Sequence, residues 1–152
     1  MADAFQSVKG LREMGEAMRR LTEAVNNKIS GRATNAGAQV IKTLAKQKAP
    51  VASEPYRSEK VTVPPGNIGR NVIVKKIPKG QTNLTSEHIV TVRSKGAGVI
   101  GHPYRTAIFN EFGTVKMDPK AFMRPAFDGG KSSAVDAITH ELASGIEAEA
   151  NK

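Results

Sequence analysis

The chain lacks cysteine and tryptophan and has few aromatic residues of any kind. Its 152 residues include two Tyr and five Phe, and aromatics make up 5% of the composition. Without cysteine there are no disulfide bonds, thiolate metal sites or cysteine nucleophiles. No apolar run approaches the ~20 residues that a membrane helix needs, and Met1–Ala4 does not resemble the start of a secretory signal. We therefore expect a chain that is neither exported nor inserted into a membrane, with a single domain spanning residues 1–152.

The net charge of +9 is unevenly distributed along the chain. Residues 61–105 hold seven Lys or Arg and one acid, whereas residues 132–152 hold four acids and one Lys. This contrast is compatible with a self-complementary contact between subunits. A basic cluster on strands can neutralise DNA phosphates without reading bases, or it can be a solvated strand edge, and both interpretations stay open. The candidate DNA-facing residues are Arg70, Lys75, Lys76, Lys79, Arg93 and Lys95.

Apolar residues at intervals of three and four predict a long helical segment near the amino terminus. The pattern runs through residues 11–29, is interrupted at Ser30–Gly31, and resumes over residues 33–45 until Pro50 ends it. This predicts two helices or one kinked helix. Residues 1–10 are expected to be a flexible end.

A second helix is predicted at the carboxy terminus. It begins at Ser132 or Ser133, after the glycine pair Gly129–Gly130, and ends near Glu147. Residues 149–152 are expected to be a flexible end.

Between the helices, β-branched runs at residues 70–77 and 88–94 predict two antiparallel strands joined by a polar loop. Val61–Val63 is a candidate edge strand within a loop-rich insertion at residues 50–69, and residues 104–112 fit a short helix or a strand equally well. The predicted fold class is α+β. A long amino-terminal helical segment and a carboxy-terminal helix pack on a mainly antiparallel sheet of three or four strands.

Residue patterns typical of enzymes are incomplete in this chain. Gly96–Gly101 has the letters of a dinucleotide fingerprint, but His102–Pro103 follow it and no βαβ unit surrounds it, which favours a connector. His140–Glu141 begins like a zinc-protease helix, yet Ser144 occupies the position of the second ligand. We therefore expect no catalytic residues, no cofactor and no metal site.

Four of the five Phe residues fall within Phe109–Thr114 and Lys120–Asp128. Large aromatic residues dominate packing energetics, so this concentration predicts a structural clamp. Glu111 and Arg124 are candidates for an ion pair that holds the turn against the last helix. The candidate structural or interface residues are Phe109, Glu111, Phe112, Gly113, Thr114, Phe122, Arg124, Pro125 and Phe127.

The two parts of this segment resemble a known family. Glu111-Phe112-Gly113-Thr114 and Phe122-Met123-Arg124-Pro125-Ala126 are similar to the paired motifs of tailed-phage tail-completion proteins, also called head–tail joining or neck proteins. Ala49–Val51 and Gly66–Val72 also resemble that family. About a dozen extra residues between these last two stretches, and Gly129–Gly130 in the last helix, depart from its pattern.

The resemblance implies a non-enzymatic virion subunit that is assembled in the host cytoplasm. It implies a ring, a hexamer on a sixfold tail, at the head-proximal end of the tail, which acts in tail completion and head–tail joining. The implied partners are other copies of the chain, neighbouring neck and tail proteins, and genomic DNA passing through the lumen, with no membrane involved. The high charge alone supports an alternative, a basic nucleic-acid-binding module without sequence preference.

Overall fold

A continuous helical segment forms the first third of the chain in the computed structural model. The structure describes residues 2–58, 60–78, 86–96 and 98–151, and for residues 2–9 the backbone alone. Helix α1 spans Ala2–Ala24, a π-helical segment spans Val25–Ile29, and α2 spans Ser30–Lys48. The backbone of residues 2–10, which the sequence analysis assigned to a flexible end, is therefore helical.

The π-helical segment keeps the apolar residues of α1 and α2 on one face. Leu21, Val25, Ile29 and Ala33 follow one another at intervals of four, which exceeds the 3.6 residues of an α-helical turn. In an α-helix, side chains four residues apart rotate gradually around the helix axis. A π-helical turn holds about 4.4 residues, so it offsets this rotation and keeps the apolar side chains on one face. Ile29 and Ala33 are buried. The predicted interruption is thus a change of helix type just before Ser30, and the helix continues through it.

Four strands follow, in two separate antiparallel pairs. Strand β1 (Tyr56–Ser58) pairs with β2 (Val61–Val63) inside the stretch predicted to be loop-rich. After the short helix α3 (Asn67–Arg70), strand β3 (Val72–Lys76) pairs with β4 (His88–Val92), placing Val72 opposite Val92. The predicted hairpin is confirmed. Most of its polar loop, residues 79–85, lies outside the described residues.

Two helices complete the chain. Helix α4 (Pro103–Phe112) shows that the ambiguous residues 104–112 are helical, and α5 spans Met123–Ala150. The α+β class is confirmed, with the four strands in two small sheets. The predicted start of the last helix at Ser132 or Ser133 is wrong, because the helix begins at Met123 and runs through the glycine pair.

Glycines allow α5 to approach α2 closely. A Cβ on Gly130 would collide with the side chain of Leu44, and a Cβ on Gly37 would lie 2.7 Å from the side chain of Ile138. A Cβ on Gly145 would likewise lie 2.7 Å from the side chain of Ile29 in the π-helical segment. The low helix propensity of Gly130 is therefore offset by a tertiary contact in which a larger residue would force the side chains of Leu44 and Ile41 to shift.

The hydrophobic core lies where α2, α4, α5 and the β3–β4 hairpin meet. Its largest side chain is Phe122, which is completely buried at the start of α5. The smaller residues around it come from every one of these elements and from α3: Ala45, Ala49, Ile68, Val72, Val92, Ala107 and Ala126.

Candidate functional site

The carboxylate of Glu111, near the end of α4, caps the amino terminus of α5. Its Oε2 accepts hydrogen bonds from the backbone N–H groups of Phe122, at 2.8 Å, and Met123, at 3.0 Å. Its Oε1 accepts a third from the N–H of Arg124, at 3.1 Å. A single side chain thus joins the end of one helix to the beginning of the next.

This cap satisfies all the free N–H groups at the start of α5. The first bond within the helix runs from the N–H of Ala126 to the carbonyl of Phe122. The N–H groups before Ala126 have no acceptor inside the helix, and Pro125 has no N–H to satisfy. Glu111 accepts the three N–H groups that are present, and Pro125 has none. Together the two residues leave no unsatisfied N–H group in the first turn of α5, which explains why the motif combines these residue types.

The environment of Glu111 stabilises its charged form. Partial burial acts to raise the pKa of Glu111, but the three backbone hydrogen bonds and the positive charge of Arg124 outweigh it and hold the pKa below its ordinary value. The hydrogen bond goes to the backbone of Arg124, where the sequence suggested an ion pair with its side chain. The guanidinium contributes a longer-range attraction.

The turn between α4 and α5 depends on Gly113. Its φ of 76° favours glycine, and a Cβ there would lie 2.9 Å from the carbonyl oxygen of Met117 and 3.0 Å from Cδ of Pro119. The N–H of Gly113 donates to the carbonyl of Phe109 at 2.9 Å, and Thr114 and Met117 exchange two backbone hydrogen bonds. This tight turn reverses the direction of the chain after α4, so the start of α5 lies next to the Glu111 side chain.

The four Phe residues of the segment do not pack together. Phe122 is completely buried, whereas Phe109, Phe112 and Phe127 are 39%, 68% and 57% exposed. The guanidinium of Arg105 lies 5.4 Å from the centre of the Phe109 ring, a cation–π contact at the surface. Only one of the four aromatic rings reaches the core of the single chain, so the clamp stays a prediction that concerns contacts with another molecule.

Two of the exposed rings line open grooves. The α4 groove has a volume of about 290 Å³ and lies between α4, β4 and the start of α5. The α2 groove has a volume of about 650 Å³ and lies between α2, β4 and α5. The α4 groove is lined by Val90, Tyr104, Ile108, Phe112 and Arg124, among others, and the α2 groove by Gly37, Ala38, Ile41, Phe127 and Ile138, among others.

The predicted DNA-facing residues fall into two groups at opposite ends of the β3–β4 hairpin. Arg70, Arg93 and Lys95 lie where β3 begins and β4 ends, and Lys75–Lys76 lie at the other end of β3, roughly 13 Å away. Those five are all exposed, and Lys79 lies outside the described residues. The basic residues are clustered in the sequence, but the hairpin does not gather them into one patch.

A small polar cluster joins the hairpin to α2, and no pattern in the sequence indicated it. Thr34 donates its hydroxyl to the carbonyl of Ser30 at 2.9 Å, and its oxygen lies 2.9 Å from Nδ1 of His88 and 3.2 Å from the hydroxyl of Ser86. Burial and the nearby charge of Lys76 lower the pKa of His88. Burial and the Lys76 charge thus favour the neutral imidazole. Its members are 52 and 54 residues apart in sequence, so no local pattern could reveal it.

The glycine-rich loop Gly96–Gly101 leads into α4, so a helix does follow it. A Cβ on Gly101, whose φ is 64°, would lie 2.7 Å from the side chain of Val63. Close packing against β2 therefore accounts for this glycine. In the described part of the chain, no three His, Asp or Glu residues come together as a metal site. None of the helices described has the length and apolar character needed to cross a membrane.

Comparison with known proteins places the chain in a family. The profile described as "Bacteriophage HK97-gp10, putative tail-component" matches residues 12–113, about two thirds of the chain. The match runs from α1 to Gly113 and so includes Glu111 and Phe112, but it stops before Phe122. No curated protein and no solved structure matches the chain. The chain belongs to the HK97-gp10-like family of phage tail components.

Proposed function

We propose that the chain is a non-enzymatic structural subunit that forms a ring at the head-proximal end of a phage tail. There it completes the tail and joins it to the head. Membership of a tail-component family supports a structural role in the virion. The finer assignment rests on the surface of the α4–α5 segment, as follows.

The observation that carries the proposal is the exposure of the motif's aromatic residues. Phe112 and Phe127 are more than half exposed, and each lines an apolar groove. The two grooves share Val90, Met123 and Arg124 in their walls, so they are adjacent on one side of the molecule. Extended apolar surfaces of this kind mark sites where another protein binds. The rigid Glu111 cap would hold these rings in fixed positions for such a contact.

A ring can form if the surface that contains the two grooves contacts a different surface on the next copy of the chain. Such heterologous contacts either close into a ring or continue as a filament, and a virion junction requires the closed form. Six copies would match a sixfold tail. The partners of the ring would be the neighbouring neck and tail proteins, and genomic DNA would pass through its lumen.

The test is an infection from which this protein has been removed. Filled heads and separate or unfinished tails should accumulate, and infectious particles should be absent. Wild-type protein supplied in trans should restore infectivity, and Phe112→Ser should not. A matched control is Val115→Ser, because Val115 is fully exposed in the same turn and lines neither groove. Normal yields of joined, infectious particles without the protein would overturn the proposal.

A further inference from the structure

Helix α1 carries an apolar stripe whose side chains are each more than half exposed in the described part of the chain. Leu11 and Met18 are each 62% exposed and Met14 is 52% exposed. The end of α5 lies beside this face, because Glu149 and Ala150 line one cleft together with Met14, Met18 and Leu21. Helix α5 ends there at Ala150, so it covers the stripe only in part and more than half of each of its three side chains stays exposed.

Two glycines beside this stripe have no role within the described fold. A Cβ on Gly10 or Gly15 would meet nothing within 4 Å, although glycine weakens an exposed helix. The glycines at the α2–α5 contact, such as Gly37 and Gly130, are each required by a close approach. On a helical projection Gly10 and Gly15 flank the stripe on either side. If Gly10 and Gly15 also serve a close approach, a second surface packs closely against this part of α1.

The charge of α1 indicates what kind of surface that is. Residues 2–24 contain four basic and four acidic residues, so they are neutral, whereas the whole chain carries +9. The charged residues of the segment 10–24 occupy the helix face opposite the stripe. Nucleic acid and other strongly anionic partners are therefore a poor fit. A second copy of the chain would meet no repulsion from this helix.

The α2 groove offers the complementary surface. The small side chain of Ala38 forms part of its wall, and the exposed Phe127 and Ile89 add apolar surface at its sides. A chain cannot fill this groove with its own stripe, because Met14 and Ala38 lie on one continuous helical segment, about 36 Å apart. Only another copy can bring the stripe to the groove.

We propose that the apolar stripe of α1 (Leu11, Met14 and Met18) docks into the α2 groove of the next copy. This inference rests on the proposed ring and names the contact that builds it. The two surfaces are different and far apart, so each copy uses one surface for each neighbour. Repetition of the contact gives a head-to-tail series that closes on itself.

Because the chain has no cysteine, the contact can be tested with single introduced thiols. The full-length variants Met14→Cys and Ala38→Cys, with tags of different size, are mixed under reducing conditions, assembled at high concentration and then oxidised. A disulfide needs Cα atoms within about 7 Å, so a mixed disulfide dimer forms only if stripe and groove meet. Arg12→Cys replaces Met14→Cys in the control. Arg12 lies on the charged face of α1, and this pair should give no cross-link.

The outcomes separate this inference from the proposed function. A Met14–Ala38 cross-link as the main product, absent from the Arg12 control, supports the contact. Assembled rings without that cross-link overturn the contact and leave the ring intact. A predominant link between two Met14→Cys chains also overturns it, because the stripe then pairs with itself. A chain that stays monomeric and is dispensable for infection overturns both the contact and the proposed ring.

Discussion

Removal of the Glu111 carboxylate should destabilise the protein in a pH-dependent way. Glu111→Ala leaves the N–H groups of Phe122, Met123 and Arg124 without their acceptor. Loss of an N-terminal cap typically costs about 1 kcal/mol, and loss of a negative charge at a helix amino terminus costs about 0.3–1 kcal/mol more. Three bonds are lost here, but water can reach a half-buried site and replaces part of them. We expect a decrease of about 2 kcal/mol in the free energy of unfolding.

Glu111→Gln provides an intermediate case. Its amide oxygen can keep the two bonds that Oε2 accepts, but its NH₂ group then faces the N–H of Arg124, where two donors meet. The variant also loses the charge. We expect a decrease of about 1 kcal/mol, roughly half the effect of the alanine variant.

The pH dependence follows from the lowered pKa of Glu111 in the folded protein. A carboxyl whose pKa is lower in the folded state stabilises the fold fully above its unfolded pKa, about 4.3. That contribution is lost as the pH falls through the lower, folded pKa. The difference in stability between wild type and Glu111→Gln should therefore be largest near neutral pH and should shrink as the pH falls below about 4.

Urea unfolding followed by circular dichroism at pH 7 and at a series of acidic values measures this difference. Glu54→Gln is the control, because Glu54 is an exposed residue in the loop after α2. Its unfolding midpoint should follow wild type at every pH. The capping argument fails if Glu111→Ala has the wild-type midpoint at pH 7, or if the effect of Glu111→Gln is the same at every pH.

Three further predictions concern other residues. Phe122→Ala should lower stability by about 3–5 kcal/mol, because the ring is completely buried, while Phe112→Ala should keep the wild-type melting temperature and lose assembly in size-exclusion chromatography. Gly130→Ala should cost about 1–3 kcal/mol in overpacking against α2, offset by up to about 1 kcal/mol from its higher helix propensity, so this variant should be the less stable of two neighbouring Gly→Ala variants. Its neighbour Gly129 has open space, so Gly129→Ala should stabilise by up to about 1 kcal/mol, and thermal unfolding distinguishes the two variants. Any DNA binding should be weak, independent of sequence and steeply lost with added salt, so selective binding in high salt, measured by fluorescence anisotropy, would contradict it.

The periodicity of the sequence was sufficient to predict the amino-terminal helical segment, a carboxy-terminal helix and the β3–β4 hairpin, because these patterns are local. The start of α5 was not predictable in the same way. Gly129–Gly130 has the composition of a break, and only the distance between α5 and α2 shows that Gly130 is needed inside the helix. The π-helical segment was visible only as an interruption of the three-and-four spacing near Ser30.

The contact between Glu111 and the start of α5 could not be predicted from the sequence. Glu111 and Arg124 were identified, yet the bond to a backbone N–H depends on the turn at Gly113, which no residue pattern specifies. Likewise, the spacing of the Phe residues does not distinguish the buried Phe122 from the exposed Phe112. Both distinctions arise from how two helices meet and not from the properties of either one.

The π-helical segment also determines where the amino-terminal helix can change in length. A π-helical turn accommodates about one residue more than an α-helix of the same rotation. Deletion of Asn26 or Asn27 would therefore convert Val25–Ile29 to regular α-helix and leave the faces of α1 and α2 aligned. A deletion between Thr22 and Ala24, or between Ser30 and Arg32, would instead rotate the stripe by about 100° relative to the face of α2 that α5 covers. The π-helical segment thus marks a place between the stripe and α2 where a single-residue deletion preserves the orientation of both surfaces.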